Sequence, residues 1–258
     1  MTRHEFEKLC IAQGFTKQAK QLYVRCLGDG VFQSIYCGFS TYIDPESPIY
    51  SVSNRKSNYI SIGIYSLFSQ CKRELFDPSE QKGGGIYSPN DLSPYHNEAK
   101  KFFGIEYEYD KMNDYGFAAL NEINTQEALI DFYCKTKLSH TGSRVHSLSL
   151  VEPFLITGRV EDALIELSFH FTHTWVGHTI TRRSSADSGN TTWIHETEEQ
   201  LEKVLAPIVF LWRAILGKRY QELFAYLSKI YERNIGWIEE FDIPLSNGFR
   251  KREIPHKF

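Results

Sequence analysis

The stretch Tyr59-Ile60-Ser61-Ile62-Gly63-Ile64-Tyr65-Ser66-Leu67-Phe68 alternates isoleucine with serine, glycine and tyrosine. Successive side chains of an extended chain point to opposite faces, so Ile60, Ile62 and Ile64 fall on one side together. The pattern predicts a half-buried strand over Tyr59–Phe68 and, with it, a sheet in the N-terminal half. Upstream, Leu22–Leu27 and Val31–Phe39 flank Gly28-Asp29-Gly30. Glycines at such a turn allow positive φ, so the two runs predict an antiparallel hairpin. Further out, residues 3–13 carry Phe6, Leu9 and Cys10 at helical spacing and end at Gly14, the signature of a short amphipathic helix with a glycine stop. Residues 41–57, with Pro45, Pro48 and many Ser and Asn, read as a loop.

Past the strand the signal weakens and then changes period. Residues 77–97 read as a long polar loop around Gly83-Gly84-Gly85, a linker or a lid. Phe102–Tyr109 and the residues around Phe117 suggest one or two further strands. Asn124-Thr125-Gln126-Glu127 resembles a capping box, followed by an apolar stripe of Ala128, Leu129, Phe132 and Tyr133. Helices are expected at Arg159–His173, at Thr197–Leu216 with a kink at Pro207, and at Lys218–Asn234, with a polar loop over Thr181–Thr192. The fold class predicted is α+β: an N-terminal antiparallel sheet with a short helix, then a mainly α-helical C-terminal half. The division expected is a β-rich part over 1–119 and a helical domain or subdomain over 120–258.

Composition narrows the function classes. The 258 residues carry 29 basic and 32 acidic side chains, for a net charge of −3. Nucleic-acid binders need a basic excess to neutralise phosphates, and here only the tail Arg250-Lys251-Arg252 with Lys257 is locally basic. That tail reads as a solvated terminus. Five cysteines, an odd number without a CxxC pair, argue against a disulfide framework or a cysteine-rich zinc site. The start, Met1-Thr2-Arg3-His4-Glu5, lacks the apolar run of a signal peptide, and no window is apolar enough to cross a membrane. A cytoplasmic, reduced setting is expected. The 18 Phe, 15 Tyr and 4 Trp suit core filling first and protein interfaces second.

Four short motifs carry a resemblance. They are Gly14-Phe15-Thr16-Lys17, Tyr23-Val24-Arg25, Asp29-Gly30-Val31-Phe32-Gln33 and Ser61-Ile62-Gly63-Ile64-Tyr65. Over about the first 70 residues the chain resembles a bacterial family of uncharacterised domains of unknown function. The resemblance implies an α+β fold and a bacterial origin. The family has no established catalytic residues, so it implies no site.

The densest chemistry lies at Ser168-Phe169-His170-Phe171-Thr172-His173-Thr174-Trp175-Val176-Gly177-His178. His170 and His173 share a helix face, and Gly177 could turn the chain to bring His178 round, with His195 or Glu196 as a further ligand. The spacing is not that of a zinc protease, which needs HExxH. The plainer alternative is a hydrogen-bonded core histidine at 170. Arg182 and Arg183, beside Thr181, Ser184 and Ser185, could hold a phosphate or a carboxylate with bidentate geometry. If there is a ligand site, it is expected where His170, His173 and His178 meet an adaptable loop carrying Arg182 and Arg183. The Gly83-Gly84-Gly85 stretch lacks the Lys-Ser/Thr of a phosphate-binding loop. Two function classes are left. One is a non-enzymatic, protein-binding protein of immunity, antitoxin or defence type, with a protein partner and neither cofactor nor metal. The other is a metal- or phosphate-handling enzyme built on the histidine cluster and the arginine pair. The absence of a catalytic signature favours the first.

Overall fold

The computed structural model describes residues 1–42, 55–77, 87, 89–92, 108–141, 150–187, 191–246, 249–256 and 258. Helix α1 (Arg3–Ala12) leads into strands β1 (Thr16–Ala19), β2 (Leu22–Leu27), β3 (Val31–Tyr42) and β4 (Arg55–Ser66). They form one antiparallel sheet in sequence order. Short 3-10 turns at Arg73–Leu75 and Pro89–Leu92 follow. Next come α2 (Glu108–Lys111), a π-helical turn (Met112–Gly116), α3 (Phe117–Glu122) and α4 (Gln126–Thr141). The chain ends with α5 (Val151–Ile156), α6 (Val160–Asp187), α7 (Thr191–Leu216), α8 (Tyr220–Glu240) and an extended tail. The α+β class expected from the sequence is the class observed.

The sheet forms for the reasons its sequence advertises. Thr2 caps α1 reciprocally with Glu5, and Gly14 takes a φ of +80° just after it. Gly28 and Gly30 adopt φ of +50° and +106°, closing the β2–β3 hairpin in the register Leu27↔Val31. Ile60, Ile62 and Ile64 are all buried, and Ile62 and Ile64 lie directly opposite Ile35 and Gln33 of β3. Burying side chains of that size contributes about 2 kcal/mol each. The isoleucine face is covered by helices. Tyr133 of α4 donates its hydroxyl to the Ile64 carbonyl at 2.9 Å, and Phe6 of α1 stacks on Tyr109 at 4.5 Å. On the other face Phe32 meets Phe76 at 4.9 Å, and Phe76 meets Trp237 of α8 at 5.6 Å. The sheet is therefore sandwiched between helices from both ends of the chain, and one buried cluster runs from Phe6 to Ile254.

Several expectations need correction. Phe117 begins a helix rather than a strand, because Ala118, Ala119, Leu120 and Glu122 are strong helix formers. Of Phe102–Tyr109, positions 102–107 lie outside the described residues, and Glu108 and Tyr109 are helical. The cap of α4 is Thr125, whose hydroxyl accepts from the Ala128 amide at 3.1 Å, one residue later than the expected Asn124. Residues 181–187 are the last two turns of α6, not a loop. Their serines and arginines lack an apolar period, which is what made them read as a loop. Thr191 onward is already helix, so only positions 188–190 connect the two and those lie outside the described residues. Positions 41–42 and 55–57 belong to β3 and β4 rather than to a loop, while 43–54 lie outside the described residues, as does Gly83-Gly84-Gly85.

The tail is not a solvated terminus either. Leu245 bridges Cys26 in parallel, and the amides of Ser246 and Arg250 donate to the carbonyls of Cys26 and Gly28 at 3.1 and 2.7 Å. Arg252 then forms a bidentate pair with Glu127 at 2.7 and 3.0 Å and a further bond to Asp29. The tail thus covers the part of β2 that short β1 leaves open.

Candidate functional site

A groove of about 670 Å³ opens between the Pro89–Leu92 turn, the π-helical turn, α3 and α4. It exists because three small residues, Ala118, Ala119 and Ala128, stand where larger side chains would close the gap between α3 and α4. Its floor is apolar: Leu92 and Ile123 are buried, and Phe132 is half-buried with its ring edge-on to Tyr87 at 5.0 Å. The wide turn Met112–Gly116 re-aims the chain, and Gly116 sits so close that an added Cβ would meet the Met112 sulfur at 2.6 Å. Tyr115 and Asp114 are thereby delivered to the rim.

The rim is acidic. Among the described residues, Asp91, Asp114, Glu122 and Asp131 line it, against the one cation Lys135. Asp114, Glu122 and Asp131 are exposed and form no ion pair among the described residues. Three free carboxylates around an apolar floor favour an occupant with positive charge and a hydrophobic face, by electrostatic complementarity and burial together. Sequence reading missed this groove because its residues come from three segments spread over 91–136. The local signal was the helical spacing of Ala128, Asp131, Phe132 and Lys135, which places them on the α4 face opposite the buried Leu129, Ile130 and Tyr133.

The residues nominated from sequence all lie on α6. His170 is half-buried and stands edge-on to Phe169 at 5.7 Å. His173 is exposed, with its ring stacked on the same phenylalanine at 5.9 Å. The positions of His178, Arg182 and Arg183 are on the same continuous helix, and their side chains lie outside the described residues. The loop expected to carry Arg182 and Arg183 is helix here, so their positions follow those of the histidines along one axis. On an unbroken helix, positions 170 and 183 are about 20 Å apart along the axis. Among the described residues, no group of three His, Cys, Asp or Glu side chains could hold a metal. No helix among them is long and apolar enough to cross a membrane.

Of the buried charged residues, Arg25 and Glu152 lie away from both places. Arg25 is 2% exposed; it donates to the Gln33 side chain at 2.9 Å and the Gln13 carbonyl at 2.5 Å, and lies over the Phe15 ring at 4.1 Å. Its Nη2 has no hydrogen-bond partner among the described residues, and burial lowers its pKa to about 10. Glu152 of α5 is 4% exposed and accepts the Tyr226 hydroxyl at 3.0 Å. Burial pushes its carboxyl up to about 7, against the opposing pull of backbone and Tyr226 hydrogen bonds and of Arg233. Gln70 donates to the Tyr226 oxygen at 3.1 Å and accepts from Arg233 at 3.2 Å, completing a chain from the core to the surface. All five cysteines are free thiols; Cys10, Cys26, Cys37 and Cys71 are buried. No family model, no curated protein and no solved structure matches the chain.

Proposed function

We propose that this chain is a non-enzymatic protein-binding module whose groove between α3 and α4 takes a basic segment with an apolar face from a partner protein. The observation that supports this reading is the set of unpaired carboxylates, Asp114, Glu122 and Asp131, standing around the Phe132 floor. Amphipathic segments dock in such grooves through a few apolar anchors, while the rim charges set orientation and association rate.

The test uses defined peptides and calorimetry. A Lys/Leu amphipathic peptide should bind, with affinity falling as salt rises, and a Glu/Leu peptide of the same pattern should not. The triple variant Asp114→Lys, Glu122→Lys, Asp131→Lys should abolish binding. Phe132→Ala should weaken it about tenfold, the cost of losing one apolar anchor, while leaving the salt dependence unchanged. Equal binding of both peptides, no binding of either, or an unaffected triple variant would sink the reading.

A further inference from the structure

The first turn of α4 is fastened to the tip of the β2–β3 hairpin, and the C-terminal tail takes part in the fastening. Asp29, at that tip, divides its carboxylate. One oxygen accepts the Gln126 amide at 3.0 Å, and the other accepts from Arg252 of the tail. Arg252 also grips Glu127, the next residue of α4, through two bonds at 2.7 and 3.0 Å. The buried Gln126 side chain donates to the Gly30 carbonyl at 3.1 Å and accepts the Ser66 hydroxyl at 2.7 Å. Beside it Gly28 lies against the α3–α4 connection, so close that an added Cβ would stand 1.5 Å from the Asn124 carbonyl oxygen. Helix α3 is held separately, by the Gln33 side chain on its Leu120 and Ile123 carbonyls, both at 2.8 Å. Only alanines, Ala118, Ala119 and Ala128, line the gap between the two helices, so the width of the groove follows from where each helix is anchored on the sheet.

An isolated surface ion pair would add little to such an anchor. This one differs in two respects. The contact between Arg252 and Glu127 is bidentate, and a second carboxylate shares the guanidinium. Glu127 stands half exposed, but the Arg252 and Asp29 side chains are only 24 and 19% exposed. The guanidinium holds the Glu127 carboxyl below its ordinary pKa. Glu127 also lies one helical turn before Asp131 on the same face of α4, next to Ala128, so the fastening ends where the α4 wall of the groove begins. The described residues that line the groove include neither Arg252 nor Glu127, so the tail supports the site without filling it.

We propose that Arg252 is a positioning residue for the groove: by clasping Glu127 to Asp29 it sets the α4 wall, so that docking of the tail and binding of a basic, amphipathic partner segment favour each other. The inference rests on the reading of the groove as a peptide site. Two events that act through one anchor are coupled reciprocally, so an occupant of the groove holds the tail down just as the tail helps the occupant. The tail thereby controls the site without touching its occupant. Whatever lifts Arg250 and Arg252 off the hairpin tip loosens the first turn of α4 and weakens the groove.

Calorimetry and amide hydrogen exchange on the full chain test this. Arg252→Lys keeps the charge and loses the planar fork, so it separates positioning from electrostatics. The Lys/Leu peptide should bind this variant about fivefold more weakly, with the same salt dependence. In the wild-type chain, saturating peptide should slow exchange of the Arg250 amide, which donates to the Gly28 carbonyl, several-fold. With no peptide present, Arg252→Lys should speed exchange of the Gln126 and Ala128 amides, held by Asp29 and Thr125, while α6 exchanges as before. A general loss of stability would instead speed exchange in α6 as well and leave the affinity of the folded protein unchanged. Wild-type affinity in Arg252→Lys, faster exchange of the Arg250 amide with peptide bound, or α4 amides indifferent to the variant would overturn the proposal. If the wild-type chain binds no peptide, the groove reading falls, and exchange in α4 alone decides whether Arg252 sets that wall.

Discussion

Residue by residue, the most informative side chain is Glu152. Its carboxyl is buried against Tyr226, and the loss of solvation raises its pKa from 4.5 to about 7. The folded protein therefore holds this proton more tightly than the unfolded chain does. Stability should be highest below about pH 4.5 as far as this group is concerned, fall as pH rises towards about 7, and stay flat above it. The size of that loss is about 3 kcal/mol. Glu152→Gln keeps an acceptor for the Tyr226 hydroxyl and removes the ionisation. Chemical denaturation of the two proteins across this pH range should show the wild-type slope and a flat variant, with the variant the more stable above pH 7. Parallel slopes would mean that the carboxyl is solvated. Arg25 shows the opposite solution to the same problem. Among the described residues no carboxylate pairs with it, and the charge is held instead by the Gln13 carbonyl, the Gln33 side chain and the face of Phe15.

For the single element, helix ends carry the next test. The C-terminus of α7 closes through Lys218 at a φ of +52°, with the Arg219 amide donating to the Ala214 carbonyl at 2.8 Å. That geometry favours glycine, and lysine is strained in it. Lys218→Gly should raise stability by about 1 kcal/mol, read as a higher midpoint in urea with an unchanged slope. The elements also show what the sequence could and could not disclose. The hairpin Leu22–Leu27 and the isoleucine strand were legible because alternation and turn glycines are local signals. Strand β1 was not, since Thr16–Ala19 is four residues with a register shift and no apolar period. Residues 181–187 misled because serine and arginine at a helix end look like a loop. The acidic groove was illegible for a different reason. No single window holds Leu92, Ala118 and Phe132, and only the packing of α3 on α4 makes them neighbours.

At the scale of the whole molecule, the boundary expected near residue 119 is crossed by buried bonds. The Gln33 side chain donates to the carbonyls of Leu120 and Ile123, both at 2.8 Å, and buried Asn234 donates to Leu67 and Ser69 at 2.8 and 2.9 Å. A fragment of residues 1–119 would lose the cover on Ile64 and leave the Gln33 amide without acceptors, costs of the kind that abolish a marginal fold. Expressed alone, that fragment should lack a cooperative thermal transition, and adding the 120–258 fragment should restore one. Independent melting of both pieces would mean that these bonds are incidental.

The tail across β2 has a consequence in time as well as in space. Arg250 reaches Gly28, so a newly made hairpin keeps part of one edge of β2 unpaired until synthesis has passed Arg250. Contacts between residues so far apart in sequence form late, because the loop they close is long. An open strand edge is a template for pairing with other chains. During synthesis, then, the nascent hairpin is exposed to misassociation that the finished protein does not suffer. The yield of folded protein should depend more on chaperone supply and on the rate of translation than its final stability would suggest.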